Sequence, residues 1–157
     1  MAARFRFRLE GLLKLRDSLE EEAQRKLANQ LALQEQAQAA LAGLQQAQAA
    51  TIEGRRLAPN QPVDLDRWRD TERYLVVLER RILGAAETLA LAQGRVAEAR
   101  LELIKAHRDH LMLLRLKERR QQQHTLEALR EEAREMDEMA VLRYRIAHAA
   151  NTLLPGI

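Results

Sequence analysis

A chain of 157 residues is long enough for one domain, yet only 3% of it is aromatic, too few large rings to fill a rounded core. Its 26 Lys and Arg nearly balance 23 Asp and Glu for a net charge of +3, so no strong polyanion-binding field follows. The lack of Cys excludes disulfides and thiolate metal sites and fits a reducing compartment, and no run of about 18 apolar residues suggests a membrane span. The residues that remain are dominated by Ala, Leu, Glu, Arg and Gln, all strong helix formers.

The N-terminal MAARFRFRLEGLLKLR is basic and amphipathic. It lacks the apolar core of a secretory signal, and a helical period continues directly out of it. The spacing predicts a first helix over about 5–53, with apolar positions Phe5, Leu9, Leu12, Leu15, Leu19, Ala23, Leu27 and Leu31, resuming at Ala37, Leu41, Leu44 and Ile52. A break over about 54–65 follows. Gly54 suits a helix end, Pro59 and Pro62 stop any continuing helix, and Asp64 or Asp66 can cap the next one. The second helix is predicted over about 66–149, and 150–157, with Pro155 and Gly156, reads as a flexible tail.

The second helix carries the strongest pattern in the chain. Steps of three and four run Leu75, Leu78, Ile82, Ala85, Leu89, Ala92, Val96, Ala99, Leu103, Ala106. From Ile82 onward a large aliphatic residue alternates with alanine, the seam of a coiled coil whose partner helix approaches closely. After His110 and Leu113 comes a polar stretch from Arg115 to Thr125, and then a second apolar stripe of Leu126, Leu129, Ala133, Met136 and Ala140. Folding back at the loop places residue 5 opposite roughly residues 115–120, where the polar stretch begins. The fold expected is therefore all-α, a single antiparallel two-helix coiled-coil hairpin over 1–157. Its paired arm is roughly 70 Å long at 1.5 Å per residue. About 30 residues of the second helix overhang, with a stripe that the hairpin cannot cover.

Chemistry is harder to find. His107 and His110 stand three apart, but two ligands do not make a metal site. No phosphate-cradling glycine loop is present, and carboxylates on exposed helix faces pair with Arg or Lys. No catalytic residue, metal or cofactor is expected. Arg4, Arg6 and Arg8 interleave with Phe5 and Phe7, and a second basic cluster spans Arg115–Arg120. Acidic residues in 17–22 and 127–138 dilute both clusters, so nucleic-acid binding is the weaker reading. Trp68 and Tyr74 gather beside the loop, where two helices cannot bury both rings, and exposed Trp and Tyr anchor interfaces.

These residues resemble the flagellar export protein FliJ family. The opening FRFRLEGLLKLRDSLEEEAQRKLA looks like that family's start. RWRDTERYLVVLERRI, Arg67–Ile82, looks like its post-loop segment through Arg67, Trp68, Tyr74, Leu78 and Glu79. EMDEMAVLR, Glu135–Arg143, resembles its C-terminal Met-Asp-Glu signature through Met136, Asp137 and Glu138. The resemblance implies a non-enzymatic component of the flagellar type III export apparatus, serving protein export, flagellum biogenesis and motility. It implies a coiled-coil stalk similar to the γ subunit of rotary ATPases, in the cytoplasm at the flagellar base, peripheral to the inner membrane and not inserted in it. The partners it implies are the export ATPase ring, the cytoplasmic domain of the export gate protein FlhA, and export chaperones. By matching position, Trp68, Tyr74 and Leu78 would face the gate. Phe5, Phe7, Leu9, Leu12, Leu126, Leu129, Ala133, Met136 and Ala140 would face the ATPase. Injectisome stalk proteins share this architecture, and a nucleic-acid-binding or self-associating coiled coil is the reading from another class.

Overall fold

The computed structural model describes residues 4–56 and 60–152. Two helices account for nearly all of them: α1, Glu10–Gly54, and α2, Leu65–Thr152, of 45 and 88 residues. No strand occurs among the described residues. The chain is an antiparallel helical hairpin coiled coil with the longer helix second. It divides into two compact units, a loop-proximal unit of Arg16–Arg108 and a terminal unit of Met1–Leu15 with Asp109–Ile157.

In the loop-proximal unit the pairing runs antiparallel. Lys26 Nζ meets Glu102 at 2.7 Å, Glu20 meets His107 at 2.7 Å, and Arg55 pairs with Glu72. As the α1 number rises, its α2 partner falls. The pattern read in α2 is the seam observed. Leu75, Leu78, Ala92, Val96 and Ala99 are buried, and Ile82, Ala85, Leu89, Leu103 and Ala106 are half-buried. Ala99 is 1% exposed. Ala99→Leu would force added methylenes against α1, and a loss of roughly 1–3 kcal/mol is expected in a thermal melt.

The α1 face differs from the expectation. Leu12, Leu15, Leu19, Leu31 and Ile52 are exposed, whereas Ala23, Leu27, Ala37, Leu41 and Leu44 do face inward. The inward row also includes Arg16, Glu20, Gln30, Gln34, Gln48, Thr51 and Arg55. The cause is register. The strict heptad of α2 accepts an α1 residue every 3.5 positions, and those positions are often polar here. Some of the polar groups find partners: Glu20 takes His107, and Thr51 Oγ1 donates to the Ala47 carbonyl at 2.7 Å. Gln30 Oε1 is buried without a hydrogen bond. Gln30→Met removes that unsatisfied acceptor while keeping the side-chain length, and stabilisation of about 1 kcal/mol is expected in denaturant titration.

At the loop, α1 closes on backbone bonds from Arg55 N to Ile52 O and Arg56 N to Glu53 O, both 3.1 Å, a three-residue tightening that satisfies terminal carbonyls. Gly54 is the last helical residue and does not enter the left-handed region. Asn60 does, at φ 84°, which its short polar side chain tolerates. Of the two candidate caps Asp64 is the one used, its Oδ1 accepting from the backbone N–H of Asp66 and Arg67 at 3.1 and 3.2 Å. Asp66 instead supplies the acidic charge of the first turn. Pro59 lies outside the described residues.

The terminal unit departs from the expected first helix. Residues 4–7 are non-helical, and α1 starts at Glu10, whose N–H donates to the Phe7 carbonyl at 3.2 Å. The Arg-Phe-Arg-Phe-Arg alternation has period two, the period of extended backbone. Phe5 and Phe7 therefore turn inward while Arg4, Arg6 and Arg8 stay exposed. Phe7 is buried, and the Phe5 ring lies 5.6 Å from that of His124. Phe5 reaches past residues 115–120 because extended chain rises about 3.3 Å per residue against 1.5 Å in a helix. Beyond Ala128, every described side chain of α2 through Ala150 is exposed. The helix continues unbroken through the polar 115–125 stretch to Thr152, so Asn151 and Thr152 are helical; the rest of the expected flexible tail lies outside the described residues.

Candidate docking surfaces

The loop-proximal surface is built around Trp68 and Arg55. Both continue the seam's heptad spacing, Trp68 in the first turn of α2 and Arg55 in the turn that follows α1. Instead of a hydrophobic pair, the Arg55 guanidinium lies 4.1 Å over the indole, a cation–π contact. The same guanidinium pairs with Glu72, while Arg55 Nε is buried without a hydrogen-bond partner. Trp68 remains 42% exposed. Around them Gln61, Pro62, Val63 and Arg67 help to outline a shallow cavity of about 210 Å³.

Tyr74 is 47% exposed and Val77, three residues on, is 42% exposed. Three apart, they share one helix face. Leu78 does not join them. At 1% exposure it is the most completely buried large side chain among the described residues, because its heptad position points it into the seam. It therefore cannot meet a partner in this fold, and its role is to hold α2 against α1 beneath Tyr74. The open neighbour of Tyr74 is Val77, which lies outside the family motif; its exposure follows from lying one position before a seam residue.

The terminal unit divides its apolar residues in the same way. Phe7 is buried and Phe5 and Leu9 are half-buried, so these three pack the unit internally, while Leu12 is exposed. Lys117 closes the floor with a 2.9 Å ion pair to Glu10. Arg4, Arg6 and Phe7 are among the residues around an open cavity of about 660 Å³, whose one carboxylate is Glu10. The other predicted residues, Leu126, Leu129, Ala133, Met136 and Ala140, are all exposed on α2.

The overhang is more apolar than its single expected stripe. Met139, Leu142 and Ile146 are 56, 56 and 69% exposed, and their spacing of three and four makes a second row. Tyr144 stacks on His148 with ring centroids 4.7 Å apart. A helix apolar on more than one face is stable in water only when something surrounds it. The signal for this second row was present in the sequence as Met139, Leu142 and Ile146.

No described helix is long and apolar enough to cross a membrane. The family model for flagellar FliJ protein matches residues 5–148. The fold is similar to that of a YscO homolog, CT670, from Chlamydia trachomatis, with a TM-score of 0.61 over 93% of this chain and 99% of that one, at 19% identity. No protein of curated function matches the chain by sequence.

Proposed function

This chain belongs to the flagellar FliJ protein family and is a type III export-associated protein, and we propose that it acts there as a non-enzymatic stalk and adaptor. In this reading the terminal unit engages the export ATPase ring. The loop-proximal unit contacts the cytoplasmic domain of the export gate protein FlhA, and the chain also handles export chaperones. It works in the cytoplasm at the flagellar base, peripheral to the inner membrane.

The observation that carries the proposal is the overhang, a helix exposed on every side from 129 to 150 with apolar rows on more than one face. A flat partner covers one face. A ring that encloses the helix covers them all, which favours insertion into a central opening. At the other unit, Trp68, Tyr74 and Val77 offer the aromatic and aliphatic groups that anchor protein interfaces, with Leu78 supporting them from below.

The experiment is direct binding of the purified full chain to the export ATPase at physiological salt, with duplex DNA as the competing ligand. Saturable ATPase binding is expected. DNA binding is expected to be weak and to collapse as salt rises, since acidic residues in 17–22 and 127–138 dilute both basic clusters and the net charge is only +3. Tight DNA binding at that salt, with no ATPase binding, would reverse the assignment.

A further inference from the structure

One surface of the loop-proximal unit lies away from the tip, with seam alanines beneath it. On one side of the two helices Leu33, Ala37, Thr88, Leu91, Ala92 and Arg95 help to line a groove of about 460 Å³. Leu33 and Leu91 form its rims and are 47 and 65% exposed. The small side chains of Ala37 and Ala92 leave its floor low, which is the shape a third helix fits by setting its side chains between theirs. No carboxylate lines it, and the charged group at its edge is Arg95.

The α1 wall is also unusual for an exposed helix. Between Leu27 and Ile52 the one charged residue is Glu35, and the rest is Ala, Gln, Leu, Gly, Asn and Thr. Exposed helix faces normally carry charges of both signs for solubility. A charge-poor face beside two exposed leucines is built to be covered.

We propose that a second copy of this chain covers this groove with its own residues 126–140. That segment offers Leu126, Leu129, Ala133 and Met136 in one row, all exposed. Flanking that row are Glu127, Glu131, Glu132, Glu135, Asp137 and Glu138, against two cations, Arg130 and Arg134. An acidic amphipathic helix meets a groove with an arginine edge and no lining carboxylate. The apolar row covers Leu33 and Leu91, and its carboxylates reach Arg95. Self-association of this kind shields the overhang while no other partner holds it.

The test uses the full chain alone, so its outcome is independent of the stalk assignment. Sedimentation velocity from micromolar to hundreds of micromolar should show the parent shifting from monomer toward twice the monomer mass. Leu91→Glu spoils the groove, and the double variant Leu129→Glu/Met136→Glu spoils the overhang. Both act at exposed positions, so far-UV circular dichroism should match the parent. Each variant alone should dissociate at least ten-fold more readily. Mixed in equal amounts, they should form a heterodimer, because one keeps the groove and the other keeps the overhang. A parent that stays monomeric throughout would overturn the proposal. So would either variant associating as well as the parent, or a mixture that gains nothing over its components.

Discussion

Leu78→Ala is expected to destabilise the loop-proximal unit by about 2–5 kcal/mol, the range for truncating a fully buried leucine. Leu78 is 1% exposed and sits where the seam is widest in side-chain volume, between Leu75 and Ile82 and before the alanine positions begin. The neighbouring small residues cannot collapse into the space, because Ala85 has no reach and Leu75 already fills its own position. The single tryptophan, Trp68, lies in the same unit, so urea unfolding followed by its fluorescence reads this unit. Val77→Ala is the control. Val77 is 42% exposed and its truncation should cost well under 1 kcal/mol. Equal midpoints for the Leu78 and Val77 variants would show that Leu78 is not a core residue and would return it to the set of contact residues.

Ending the chain at Thr125 is expected to weaken export-ATPase binding at least a hundred-fold, which is about 2.8 kcal/mol at 1.4 kcal/mol per tenfold. The deletion removes the exposed rows of Leu126, Leu129, Ala133, Met136 and Ala140 and of Met139, Leu142 and Ile146. A loss of this size needs only one or two of them to act as anchors. It should leave the rest of the fold alone. The last residue of α2 with a ring contact to the N-terminal segment is His124, against Phe5, and the residues beyond Ala128 are exposed to solvent through Ala150. Isothermal titration of the shortened chain into the ATPase measures the change, and a dissociation constant within about two-fold of the parent would remove the overhang from the ring interface.

The second helix was legible because its pattern leaves one solution. Alternating large residues and alanines from Ile82 to Ala106 fit one face of one coiled coil, and every one of those positions is buried or half-buried. The first helix was not, because its inward row is set by α2 and not by its own hydrophobicity. Leu12, Leu15 and Leu31 look like core and are exposed, while Gln30 and Arg55 look like surface and turn inward. Leu78 illustrates the same limit at the candidate site. Its spacing from Tyr74 is helical, yet a shared face four residues apart is broad enough for one side chain to face solvent and the other the seam. The extended start was visible in the Arg-Phe alternation, but a helical stripe through Phe5 and Leu9 competed with it. What a partner recognises stays outside the reach of periodicity, since an exposed stripe shows that something covers it without showing what.

The two units are expected to serve different partners. The most direct measurement titrates two variants against the export ATPase and against the FlhA cytoplasmic domain. One is Tyr74→Ala/Val77→Ala, at exposed positions over an intact Leu78; the other is Leu129→Glu/Met136→Glu. The first should lose at least ten-fold in FlhA affinity, more than 1 kcal/mol, and keep ATPase binding within about two-fold. The second should do the reverse, with circular dichroism showing both as helical as the parent. If either variant, still folded, loses both partners together, the two-partner account is contradicted.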